Sequence, residues 1–137
     1  MWRPKSIGDV IAQRVCEFRS AKGRSTKIIV SFGRPIRLEE AEEGEPWWCP
    51  VRIVGAGFHD FQPVAGEDSL QALTLALAYA EVQLQQSARE KKGRLVVLGS
   101  REPTVFLPIP ASRSLAAVAK DQKRKDEGHP ACRYNAV

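Results

Sequence analysis

"GEDSLQALTLALAYAEVQL", residues 66–84, admits two readings, and the choice between them decides the fold. Its Asp68-Ser69-Leu70 has the form of the serine on which an acyl-carrier domain bears phosphopantetheine. It also has the form of a helix start. Asp68 is a strong N-cap residue type, and Gln71 completes a D-x-x-Q capping box. A carrier domain needs helices on both sides of that serine, whereas residues 47–64 and 94–107 are strand-like in composition. Ser69 is therefore read as a first-turn residue of a helix running from Leu70 to about Glu90.

Projected on that helix, Leu70, Leu73, Leu77, Ala80 and Leu84 form one apolar stripe at spacings of three and four. Leu75, Tyr79 and Val82 form a second stripe roughly opposite. A helix lying on a sheet with its back in water needs only one. The second is expected to be covered by a terminal segment or by another chain. Lys91 and Lys92 suit the negative helix end, and Gly93 is expected to take the left-handed cap conformation.

Outward from the helix, the chain reads as strands. "TKIIVSFG" at 26–33 is a strand stopped by Gly33-Arg34-Pro35. "WWCPVRIVG" at 47–55 is another, with Pro50 predicting an edge position or a bulge. Gly55-Ala56-Gly57 turns it into a partner strand over 58–64. Residues 94–99 and 104–108 supply a last pair. Residues 10–20 carry helical spacing but strand-like composition. The five Glu within 39–45 repel one another and predict a solvated loop.

At 137 residues the chain allows one domain with a real core. Apolar residues make up 43% and charged residues 27%, the balance of a soluble globular protein. The longest strongly apolar run, Ala72 to Ala80, falls well short of the ~20 residues a membrane span requires. No apolar block of a secretory signal opens the chain, and Cys16, Cys49 and Cys132 are scattered and odd in number. A cytoplasmic protein is expected. The net charge of +5 sits at the ends: residues 1–27 hold seven Lys/Arg against two acids, and residues 111–137 hold six against three. Residues 28–110 hold eight basic side chains against eleven acidic ones.

The order of "GRP" at 33–35, "WWCP" at 47–50 and "GEDSLQAL" at 66–73 resembles a small bacterial family of unknown function. Those segments match its G-x-P, W-x-C-P and G-x-D-S-L-Q-A-L motifs. The resemblance covers about residues 10–108 and favours the strand reading of residues 10–20. It brings no catalytic residue with it.

Other chemistry is weakly signalled. Cys49, His59, His129 and Cys132 are zinc-type donors without a familiar paired spacing. Cys49, His59 and Asp60 hold the elements of a thiol nucleophile with its base, but nothing brings them together. Gly55-x-Gly57 lacks the third glycine of a dinucleotide turn, which would fall at Asp60. No catalytic residue, metal ligand or cofactor is assigned.

The expectation is an α+β domain over residues 1–110, followed by a basic C-terminal tail at 111–137 that is partly helical or disordered. Its antiparallel sheet has about six strands, in the order β-β-β-β-α-β-β, with the long helix on one face. The expected function is a non-enzymatic protein-interaction module of a bacterial cell, extending to an immunity-type toxin neutraliser. Candidate partner-binding residues are Trp47 and Trp48 beside Glu39, Glu40, Glu42 and Glu43, with Leu75, Tyr79 and Val82. The alternatives are weak nucleic-acid association through basic termini (Arg3, Lys5, Arg19, Lys22, Arg24 and Lys27, with Lys120 to Lys125), an unrecognised enzyme, and a homo-oligomer.

Overall fold

The computed structural model describes residues 1–97. Strands β1 (Val10–Arg19), β2 (Ser25–Gly33), β3 (Trp47–Gly55) and β4 (Phe58–Gly66) precede helix α1 (Ser69–Glu90), and β5 (Arg94–Val97) follows it. The five strands form one antiparallel sheet in the order β4-β3-β2-β1-β5, an α+β layout. The sixth strand expected at 104–108 and the tail at 111–137 lie outside the described residues.

Residues 10–20 resolve to strand because both sides of β1 are paired. Its residues face β2 over most of its length, and Cys16 to Arg19 face β5 as well. Strand alternation then sends Cys16 and Phe18 inward. Ile28, Val30 and Phe32 of β2 and Cys49, Val51 and Ile53 of β3 complete the buried face.

The helix starts as its sequence predicts. Asp68 is the N-cap, and its carboxylate accepts from the Gln71 N–H at 2.7 Å. The Gln71 side-chain amide oxygen Oε1 accepts from the N–H of Glu67, one residue earlier than in the usual capping box, also at 2.7 Å. Gly66 is required beside it, because a Cβ there would lie 2.2 Å from the Ala72 nitrogen.

Helix packing differs from the leucine spacing. The surface pressed on the sheet is a row at every fourth residue: Ala72, Ala76, Ala80, Leu84 and Ala88, all buried. Small side chains let the helix axis approach the sheet closely, and Leu84 supplies the one large plug in the row. Leu73 and Leu77 flank it half-buried, while Leu70 remains 70% exposed in the first turn.

Three local features of the fold resolve, add to or revise the sequence reading. First, β3 is interior, so Pro50 is not at an edge. Phe32 pairs with Val51 but Ile36 pairs with Trp48, a four-residue step against a three-residue one, which is a bulge. Trp48 exchanges both backbone hydrogen bonds with Ile36, so the missing Pro50 N–H points at this gap in the ladder. Second, Pro63 is the edge proline: it lies on β4, with its absent N–H directed away from β3. Third, Lys92, not Gly93, takes the left-handed position, at φ 51°. The N–H groups of Lys92 and Gly93 bond the Arg89 and Ala88 carbonyls in a Schellman pattern. Gly93 is needed instead for space, since a Cβ there would lie 2.2 Å from the Phe18 ring.

Candidate functional site

The candidate binding residues do not form one site. Trp47 shares the inward face of β3 and packs against the core, whereas Trp48 lies half-buried on the opposite face. Glu39, Glu40, Glu42 and Glu43 are exposed on the β2–β3 loop. That loop is pinned by the Arg37 guanidinium, which donates to the Glu42 carbonyl at 2.6 Å. On the helix, Leu75 is 43% and Val82 59% exposed, so the described residues do not cover this stripe there. Tyr79 differs: it is half-buried and packs on the core, and its hydroxyl donates to the Asp60 carboxylate at 2.8 Å.

Burial first, then the hydrogen bond and charge of Asp60, push the Tyr79 hydroxyl from 10.0 up to about 12. The unfolded chain releases this proton near 10, and the folded chain holds it to about 12. The folded state therefore binds more protons across that window, and stability falls as pH rises through it. Tyr79→Phe is expected to cost about 1 kcal/mol at neutral pH and to flatten the alkaline loss. Urea midpoints of both proteins between pH 7 and 11 check this. Burial also raises the Cys49 thiol, to about 11, but that slope is common to both proteins and cancels in the comparison.

The sheet face turned away from the helix carries a feature that the sequence reading missed. Val15 pairs with Ile29, and Ile29 with Val54, so the three stand in one row across β1, β2 and β3. They are 50%, 42% and 39% exposed. The next row places Gln13, Ser31, Arg52 and Phe61 side by side, with the Gln13 amide donating to the Ser31 hydroxyl at 3.0 Å. An apolar row bordered by polar side chains on β1, β2 and β3, with Phe61 beyond them on β4, is the make-up of a contact surface. The available signal was apolar residues at both strand parities: Ile28 with Ile29, and Ile53 with Val54.

Charge divides along the strands. The β1–β2 turn and the helix C-terminus bring Arg19 and Gly23 together with Lys92 and Arg94 around one cavity. At the other end the β2–β3 loop and the β4–α1 connection group Glu43, Glu45 and Glu67 around Arg37. Each polarity opposes the nearer pole of the helix dipole. The N-terminal segment belongs to the acidic end, because the Asp9 carbonyl accepts from the Arg34 N–H at 2.8 Å and the Ile7 carbonyl abuts Gly33. The basic residues 19–27 are thus separated from that segment, although they are neighbours in sequence.

Cys49 and His59 point to opposite faces of the sheet, and the Cys49 thiol donates to the Gly33 carbonyl at 3.4 Å. His129 and Cys132 lie outside the described residues. Among the described residues no three metal-type side chains cluster. Cys16 lies near Arg14 and the buried Glu81 of the helix. Burial raises its thiol, Arg14 opposes that rise and Glu81 adds to it, leaving a protonated, unreactive group at neutral pH. Among the described residues no helix is long and apolar enough to cross a membrane.

Comparison with curated proteins and with solved structures gives no match. A family model does match, over residues 12–107, which takes in β1 from Ala12 onward, strands β2 to β5, the helix and each of the three motif segments. The chain belongs to the family described as domain of unknown function DUF6968.

Proposed function

We propose that this protein is a cytoplasmic, non-enzymatic protein-binding module of a bacterial cell, and that its partner seats on the open face of the sheet. The observation in support is the row Val15–Ile29–Val54, aligned by strand register on the face opposite the helix. Three β-branched side chains on a stiff sheet lose little freedom on contact, so their burial converts efficiently into affinity. The narrower form is neutralisation of a toxin by direct binding, in which a small rigid domain blocks its partner by covering it. The acidic loop offers charge to a basic partner, whereas the exposed Leu75 and Val82 lie on the helix, on the side of the molecule away from this seat.

Ile29→Lys tests the face, with Val82→Lys as the control on the opposite side of the molecule. Tagged protein recovered from its host, followed by affinity measurement on the purified partner, should show Ile29→Lys weakening binding about 30-fold or more. Val82→Lys should leave binding within about threefold. Equal binding by both variants contradicts the proposal. Light scattering identifies the special case in which the partner is a second copy: the wild-type mass doubles, and Ile29→Lys restores the monomer.

A further inference from the structure

We propose that the cavity at the basic end of the sheet binds a small phosphate-bearing ligand held by Arg19, Lys92 and Arg94. This reading does not rest on the protein-binding proposal and goes beyond it; Arg19 stands on the same side of β1 as Val15, four residues further toward the end of the strand. The cavity has a volume of about 450 Å³, within the ~300–1,000 Å³ range of small-molecule sites. It lies between the β1–β2 turn and the connection from α1 to β5. Three cationic side chains line it, and no carboxylate does.

Strand register makes the charge arrangement costly without an anion. Arg19 and Arg94 are directly opposite each other on neighbouring strands, where like charges destabilise a sheet. Glu17 offsets only one of them, at 3.6 Å from the Arg19 guanidinium. Lys92 and Arg94 have no ion-pair partner among the described residues. An oxyanion between the two guanidinium groups relieves the repulsion and meets fork-shaped donors suited to bidentate contact.

The backbone supplies a separate observation. Lys92 occupies a left-handed conformation that glycine adopts freely and lysine adopts at a cost. Glycine stands immediately next to it at position 93, yet the lysine occupies the strained position on the cavity wall. Both rims are fixed. Gly93 donates to the Ala88 carbonyl at 2.9 Å, while Gly23 donates to Ser20 and Ser20 to Arg24, each at 2.9 Å. The neighbouring Lys91 is already committed, bonding the Ala56 carbonyl and lying over the Phe18 and Phe58 rings. It leaves the ligand to Lys92.

The test is amide-resolved NMR of the full chain titrated with inorganic phosphate and with adenosine monophosphate, against chloride at matched ionic strength. Saturable shifts confined to residues 19–24 and 92–94 are expected with both phosphates and absent with chloride. Arg94→Gln should weaken binding about tenfold. Lys92→Gly should weaken it similarly while raising the melting temperature, a combination that a purely structural lysine would not produce. Non-saturating shifts, or shifts spread over all cationic surfaces, overturn the proposal. So does Lys92→Gly with unchanged phosphate affinity. Binding seen only with a duplex oligonucleotide and falling steeply with salt also overturns it, in favour of a polyanion surface.

Discussion

Leu84→Ala is expected to cost about 3 kcal/mol, whereas Leu70→Ala should change stability by less than about 0.5 kcal/mol. Both leucines belong to the same stripe by sequence spacing, and a helix packed on that stripe would need both. In the fold Leu84 is fully buried in the alanine row, and Leu70 is 70% exposed. Truncating Leu84 leaves a cavity that its neighbours, Ala80 and Ala88, are too short to fill. A loss of that size is a large part of the ~5–15 kcal/mol that holds a domain of this kind together. Urea denaturation of the two variants, with the wild type alongside, measures the difference. Similar losses for both would mean that the helix is rotated away from its alanine row.

Gly55→Ala should be at least as damaging, at about 3 kcal/mol or more, although it adds a single methyl group. Gly55 ends β3 at φ 115°, outside the range that side-chain-bearing residues favour. A Cβ there would lie 2.1 Å from the Lys27 carbonyl oxygen and 3.1 Å from the Ile28 Cα. Both atoms are backbone of the adjacent strand, so neither can swing aside as a side chain would. The strands must separate, or the Gly55-Ala56-Gly57 turn must reshape. Gly44→Ala is the control. It too has positive φ, 89°, but nothing lies within 4 Å of the added carbon, so only the backbone strain remains. Thermal unfolding of the two variants separates strain from collision.

What could be read in the sequence is what local chemistry determines. Asp68 and Gln71 start the helix through bonds to nearby backbone groups, so the motif carried its own evidence. Strand alternation and the glycine-rich turn at 55–57 similarly located β3 and β4. The alanine row was invisible because alanine has little hydrophobic signal, and its value here is the space it leaves. For Pro50 the sequence left an edge and a bulge open because strand order is non-local: β3 is interior, and the bulge in the neighbouring ladder is what tolerates the proline. Gly93 was credited with a cap role because the Phe18 ring that claims its space is distant in sequence.

The candidate binding residues show the same division. Trp47 is a hot-spot residue type and Tyr79 belongs to the second helix stripe, yet each is engaged by its own fold, one by the core and one by Asp60. Leu75 and Val82 remain exposed as their spacing allowed. The row Val15–Ile29–Val54 comes into view only once register joins three strands, and only once the helix is known to occupy the other face. The basic cavity likewise depends on β5 returning beside β1, which brings Arg94 opposite Arg19.

Methyl-labelled NMR with a soluble paramagnetic relaxation agent tests the two-faced sheet most directly, because residues adjacent in sequence report on opposite sides. The Ile29, Val54 and Val15 methyls should be strongly relaxed, while Ile28, Ile53 and Val30 should be protected. Equal protection of Ile28 and Ile29, and of Ile53 and Val54, would show both faces covered and contradict the open face on which the proposed partner seats.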